Sequence, residues 1–580
     1  MKKRVISMLL VLVMVLSLAA CGGKKNVNNA PVDLSQEDLS WLNTESELPI
    51  VKEGVEKTLR VAIKMYSDAG DPESQWFYQF IEKEMNINLE ITKVSGAEQL
   101  TLLLADGDDL PDIIIGAISD EASLMRYGAD EGVLADLAPY ITEELTPNLY
   151  KLYSDYPEYK KAIEDSEGHV WSLGYVNNPT ERGQISRMFY NYDWLEKLDL
   201  PVPATQEEFL ETMRKFKQLN GGEAPMVGSW SFTNPCLILL NSFGYITENA
   251  KGNDIALRDG KVVLPVADRE VYGEYLKVFK QIYDEGLIDK NFFTMGNNTV
   301  QAKIASGKCG FLAEAPFVYT PDFDSWWGAQ PLTSKYNATA QWPRSGGAQS
   351  CGGFVVSAKS ENKALAMRFA DWFFKADGSN YNMSVNGPAE TQTEYLYDKT
   401  VPGFTVNEKD FVATWPYYEK NKEDYSSKND YLGKEIYLWG YRILGRGMGT
   451  VSQNLDAVQY GYTADEIVTN YSDVTAEGIQ ANVREELYKD GEMCFRLALE
   501  DTLAPYVTEE YLPRAYLDAE TSIEVGSMLA IIREYAAQET ANFVVGRRPL
   551  TDEELDKYFD EIESLGALEV VQIYSEYYGK

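Results

Sequence analysis

Two hydrophobic periods alternate along this chain. Leu59, Val61 and Ile63 stand two apart, as do Ile87, Leu89 and Ile91, which predicts two half-buried strands. Gln75 to Met85 between them predicts a helix. Leu102 to Ile115 reads as helix, then a Leu110-Pro111-Asp112 loop, then a short apolar strand. Further on, Phe354, Val355 and Val356 predict another short buried strand. The helix behind it carries Leu365, Phe369, Trp372 and Phe373 on one face, with Ser360 as its expected N-cap. Strands regularly followed by helices are the units of an α/β domain.

The middle and end of the chain repeat the pattern. Thr205 and Glu208 have capping-box spacing, and Phe209, Leu210, Met213 and Phe216 form one apolar stripe ending near Gly221. Asp259-Gly260 predicts a hairpin turn, and Tyr272 to Glu285 an amphipathic helix. Thr299 to Ala315 reads as helix, a Gly307-Lys308 turn, and a strand from Cys309 to Ala313. A second capping box, Thr551 with Glu554, opens a helix that buries Leu555, Phe559, Ile562 and Leu565.

The first residues follow a different logic. Lys2, Lys3 and Arg4 precede an apolar run from Val5 to Leu18, too short for an ordinary membrane span. Leu18-Ala19-Ala20-Cys21-Gly22 resembles the bacterial lipobox, which implies that residues 1–20 are a signal peptide and that Cys21 is the lipid attachment site. Acyl chains bury enough methylene groups to hold a soluble domain at a membrane. Residues 21–57 are polar at their start and read as a flexible tether.

Several ordered blocks resemble the bacterial extracellular solute-binding proteins of sugar-type ABC transporters (family 1, similar to maltose-binding proteins). These are Leu110-Pro111-Asp112 before its apolar strand, Gly132-Val-Leu134-Ala-Asp136-Leu137, and Ser166 to Leu173 around His169. Then come Met188 to Lys197, Pro201 to Lys217, Thr299 to Ala315, Cys351 to Phe374, and the terminal helix from Thr551. The fold this implies is α/β: two lobes joined by a hinge, with a ligand cleft between them. The expected first lobe is 58–173 plus 352–375. The second is 174–351 plus 376–580, with extra helical insertions at about 376–520. The chain is expected to cross between lobes near Leu173–Val176, near Gln349–Gly353, and after Lys375. The resemblance also implies ligand contacts from strand-end loops. The candidates are Tyr66, Ser67, Asp68 and Asp112 in the first lobe. In the second they are Tyr175, Trp230, Glu314, Phe317 and Trp342, with Trp326 and Trp327 side by side in a Gly/Pro-containing stretch.

Composition narrows the chemistry. The chain has 580 residues and a net charge of −37, a surface that repels phosphate backbones and makes nucleic acid an unexpected partner. Its 38 Tyr, 22 Phe and 11 Trp supply faces on which sugar C–H groups stack. Its single histidine, His169, falls at a hairpin turn and rules out multi-histidine metal sites. Neither a cofactor nor a metal is expected. Gly445-Arg-Gly-Met-Gly449 lacks the spacing of a nucleotide loop. The four cysteines after Cys21 (Cys236, Cys309, Cys351, Cys494) are expected as buried thiols. The expected function is a monomeric, lipid-anchored carbohydrate receptor, not an enzyme. It would face outward from the cell membrane, of Gram-positive type, and hand an oligosaccharide to an ABC permease. Other readings are a peptide or polyol receptor, a sugar-sensing subunit for a signalling kinase, and a surface glycosidase using two carboxylates.

Overall fold

A computed structural model describes residues 37–64, 70–94, 96–105, 109–118, 120–176, 188–313, 325–343, 353–376 and 502–580, with short pieces between 380 and 446. The strands of its two main sheets are, in chain order, β1 (Thr58–Lys64), β2 (Asn88–Val94), β3 (Ile113–Ile115), β4 (Phe189–Asn191), β5 (Met226–Val227), β6 (Phe311–Leu312), β7 (Trp326–Gly328) and β8 (Phe354–Val356). The helices that cover them include α1 (Trp76–Met85), α2 (Ala97–Ala105), α3 (Gln206–Leu219), α4 (Tyr272–Asp284), α5 (Lys363–Trp372), α6 (Ala519–Val544), α7 (Asp552–Ser564) and α8 (Ala567–Tyr578).

The first sheet runs β8-β3-β1-β2. β1 is parallel to both β2 and β3, and β8 returns antiparallel, Phe354 facing Ile115. The triple-isoleucine strand β3 is wholly buried, as a central strand covered on both faces must be. α1 and α5 pack through aromatic rings. Phe77 lies 6.1 Å from Trp372 and 5.9 Å from Phe373, centroid to centroid. Burying each such ring contributes about 2–3 kcal/mol. The second sheet runs β7-β4-β6-β5. β5 and β6 are parallel, and β4 is antiparallel to both β6 and β7. α3 opens with the predicted capping box: Thr205 Oγ1 accepts from Glu208 N, and the Glu208 carboxylate accepts from Thr205 N at 3.1 Å. α7 keeps only half of its predicted box. Thr551 caps Glu554 N, but the Glu554 carboxylate turns to Arg548 and Lys557 instead. Each sheet has its own apolar core.

Three expectations are corrected here. Residues 37–57 do not behave as tether, because Trp41, Leu42, Ile50 and Val51 are buried in the first core. An apolar cluster of that size orders the backbone that carries it. Ser360 does not cap α5, whose N-cap is Asn362. The Ser360 hydroxyl donates to Asp112 at 2.6 Å and accepts from Asn362 N at 2.9 Å, so it orders the turn just before the helix. The chain after residue 376 is not all second-lobe. Leu444 is buried in the first core, and Gly445–Arg446 pair in parallel with Tyr175–Val176.

Candidate functional site

The geometry of the two sheets places one end of each at the interlobe crossings. Leu173 pairs with Phe354 alongside the first sheet, and the chain then runs out past the carboxyl end of β3 to Tyr175–Val176. It reaches the second sheet at Met188, just before β4. Because β4 is antiparallel to β6, this entry point lies at the carboxyl ends of β5 and β6. The return crossing enters β8 at Gly353, whose carbonyl accepts from Gly116 N at 2.8 Å, just beyond the end of β3. Loops that follow the parallel strands therefore lie, in each sheet, at the end where the chain leaves or enters it. In open α/β sheets that is where ligands bind.

On the second-lobe side this place holds the loop from Gly228 to Pro235, which leaves β5. Trp230 is half-buried. Its backbone N–H donates to the Phe292 carbonyl at 3.0 Å, and its ring packs against Phe293 at 5.5 Å and Phe292 at 6.4 Å. The loop folds back on itself so tightly that a Cβ on Gly228 would sit 2.1 Å from the Thr233 carbonyl oxygen. Thr233 itself takes φ 46°, unusual for a threonine. Asn234 Oδ1 accepts from Cys236 N at 3.0 Å and turns the chain into the next short helix. The result is a fixed aromatic ring, partly open to solvent, at the mouth of the second sheet. On the first-lobe side the described neighbours are Lys64, Val94, Gly116–Ile118 and the half-buried Tyr175.

The other predicted contacts divide sharply. Asp112 is at the wrong end: it precedes β3, so it faces away from the crossings. It is buried, and accepts from Arg60 N at 2.9 Å, Ser360 Oγ at 2.6 Å and Asn362 Nδ2 at 3.4 Å. It ties three segments together and has no room for a ligand. Trp326 and Trp327 form strand β7 rather than a loop. Adjacent strand residues point to opposite faces, yet both are buried, because this sheet is covered on both sides. Trp342 is fully buried in the second core, its backbone bridging to Val507. Tyr66, Ser67, Asp68, Glu314, Phe317 and the lipobox Cys21 lie outside the described residues. Phe232 and Asn234 share the Trp230 loop and were not singled out in the sequence. Their signal was the turn-forming Ser231-Phe232-Thr233-Asn234-Pro235 run after a short apolar pair.

His169 sits in a turn, as expected. Its Nδ1 lies 3.0 Å from Asp136 Oδ2, and the Asp165 carboxylate accepts from its backbone N–H. Among the described residues no group of His, Cys, Asp or Glu is arranged to hold a metal ion, and no helix is long and apolar enough to cross a membrane. Cys236 and Cys309 are free, buried thiols; Cys351 and Cys494 lie outside the described residues.

Comparison with known proteins agrees with this architecture. The family profile described as bacterial extracellular solute-binding protein matches residues 69–379. The chain is 24% identical to the fructooligosaccharide ABC transporter substrate-binding protein FusA of Streptococcus pneumoniae serotype 4, over 97% of this chain and 95% of FusA. The structure of FusA in complex with kestose superposes with a TM-score of 0.60 at 21% identity, covering 90% of this chain and 99% of that one. An extracellular solute-binding protein from Bifidobacterium longum subsp. infantis gives a TM-score of 0.64 at 18% identity, covering 91% and 99%. Lipoprotein LipO of Bacillus subtilis is 23% identical over 47% of this chain and 53% of its own length.

Proposed function

We propose that this chain, which belongs to the bacterial extracellular solute-binding proteins, captures an oligosaccharide between its two lobes and delivers it to an ABC permease. The observation that carries this reading is the convergence of both crossings on the carboxyl ends of the parallel strands in both sheets. A ligand held there touches both lobes at once, so its binding free energy can drive their closure. The half-open Trp230 ring, braced by Phe292 and Phe293, offers a face for the C–H side of a sugar ring. FusA, whose name and kestose complex identify it as an oligosaccharide receptor, supports the choice of ligand class.

The same reading assigns Tyr175 and Trp230 to the ligand, together with Tyr66, Ser67, Asp68, Glu314 and Phe317, which follow β1 and β6 in the sequence. It also has Cys21 carry the lipid that holds the protein, as a monomer, on the outer face of the membrane. The lipobox motif and the likeness to a lipoprotein support that assignment. FusA is by name a transporter's substrate-binding protein, so capture without turnover is expected.

The test is a thermal-shift screen of the processed chain against kestose, other oligosaccharides, peptides and polyols. A ligand at about 100 times its Kd adds roughly 2.7 kcal/mol to stability, readily seen as a melting shift. A shift with one class of glycan, with the glycan recovered intact by mass spectrometry, is the expected result. Cleaved product would make the protein an enzyme, and a shift with peptides alone would refute the carbohydrate assignment.

A further inference from the structure

The segment from residue 508 to 518 has neither helix nor strand, yet both of its ends are anchored in the second lobe. Before it, Leu503 lies in the second core and Val507 bridges Trp342. After it, Leu517 is buried in the second core and α6 begins. Between these anchors the chain reaches across to the first lobe. Tyr516 is buried in the first core, and Arg514 Nε donates to Glu121 Oε1. Glu121 opens the short helix Glu121–Met125, which follows the carboxyl end of β3 and packs against α6.

The C-terminal helix holds this strap in place. The Tyr577 hydroxyl accepts from Tyr516 N at 3.0 Å, and the Tyr578 hydroxyl donates to the Pro513 carbonyl. Both tyrosines belong to α8, whose Ala567 and Val570 are buried in the second core. Arg514 is thus presented to the first lobe by a clamped piece of the second. Both side chains of the ion pair are about two-thirds shielded, at 28% and 30% exposure.

We propose that Arg514 and Glu121 form an interlobe latch that sets the ligand affinity of this protein without touching the ligand. The proposal rests on the two-lobe capture reading. A ligand bound between lobes spends part of its interaction on fixing their relative orientation. A contact between the lobes that already favours the competent arrangement leaves more of that interaction for binding. The pair sits beside the strand ends that face the crossings, so a small change in lobe angle there stretches or breaks it. Neither partner lies in a loop assigned to the ligand.

The experiment uses the full processed chain with Glu121→Gln, Arg514→Gln, and the charge-swapped double variant E121R/R514E. Small-angle scattering of the ligand-free proteins reads the interlobe distance distribution, and calorimetry with kestose as the probe reads affinity. Each single variant is expected to broaden the distribution and weaken kestose binding about five- to tenfold, with melting of both lobes unchanged. The double variant should recover most of both losses. Single variants with wild-type scattering and wild-type affinity would overturn the latch, and so would losses that the charge swap fails to restore. If the wild-type chain does not bind kestose, that carbohydrate assignment fails by itself, while the ligand-free scattering still decides the latch.

Discussion

Replacing Asp112 separates a structural carboxylate from a ligand-binding one. In the folded chain its oxygens accept from Arg60 N at 2.9 Å and Ser360 Oγ at 2.6 Å, with a weaker contact from Asn362 Nδ2 at 3.4 Å. Hydrogen bonds to an ionised acceptor are worth about 1.5–3 kcal/mol each. Asp112→Ala strips two good ones and leaves the part-buried Arg60 backbone N–H without that acceptor. The Ser360 hydroxyl can rotate toward another acceptor, which puts the loss near the lower end, about 3 kcal/mol. In a unit of this lobe's size each kcal/mol moves the midpoint by roughly 2–4 °C, so the first-lobe transition should fall by about 6–12 °C. Asp112→Asn keeps one acceptor but turns an amide N–H₂ toward other donors, and should fall between. The assay is differential scanning calorimetry, with ligand affinity measured well below the first transition. The second-lobe transition and the affinity should stay at wild-type values. An Asp112→Ala protein that melts normally but no longer binds sugar would refute the argument from strand polarity.

Other perturbations test separate parts of the structure. Burial alone would lower the His169 pKa, but hydrogen bonds to Asp136 and Glu167 and the charges of Asp165 and Asp136 outweigh it and raise it above its ordinary value. The folded form then holds its proton more tightly than the unfolded chain. Stability from this group is full below about pH 6.5 and is lost as pH rises through the folded pKa. First-lobe melting followed against pH should show that decline, and His169→Gln should remove it. Burial pushes Asp371 up to about 6 against the opposing pull of Leu149 N and Arg368. Its contribution therefore falls as pH rises from about 4 to 6, a slope that Asp371→Asn should flatten in the same melting series. Gly310→Ala would set a Cβ 2.5 Å from the Phe216 ring and 2.8 Å from Trp194, and should cost the second lobe about 2–3 kcal/mol by denaturant titration. Arg548 joins Glu539, Glu554 and Glu561, its side chain 13% exposed. Arg548→Met should lower second-lobe stability by about 2–3 kcal/mol in the same titration.

Much of the fold was legible because its signals are local. The alternating Leu59, Val61 and Ile63 became β1, and the Thr205–Glu208 box opened α3 where its spacing said. Each of those patterns is decided by residues a few positions apart. Most misreadings turned on distant partners, although the Thr551–Glu554 box was lost to Arg548 and Lys557 close by. Ser360 looked like the N-cap, yet it holds the turn before the helix, accepting from Asn362 N and donating to the distant Asp112 at 2.6 Å. Trp326 and Trp327 looked exposed because two adjacent large rings cannot both face one core. The strand that β7 pairs with in that sheet, β4, lies more than a hundred residues upstream. The polar start of the supposed tether likewise hid Trp41 and Val51, whose burial depends on a core built later in the chain.

The same distinction governs the site. Whether a loop after a strand faces the ligand is fixed by strand direction, and strand direction is fixed by the crossings. Asp112 and the Trp230 loop both border a short apolar strand, so hydrophobic pattern treats them alike. Only the order of events along the chain separates them: Asp112 comes before β3 and the Trp230 loop after β5. In a parallel sheet that difference puts them at opposite ends, the first on a structural junction and the second at the crossings. Binding residues in this architecture should therefore be sought among those that follow parallel strands, while a carboxylate that precedes one is better explained by the donors that close the sheet's other end. The Asp112→Ala and Trp230→Ala pair makes that rule measurable. The first should move melting and leave affinity alone. The second removes a ring already half open to solvent, and should weaken sugar binding about tenfold or more for a lost stacking face with little change in melting.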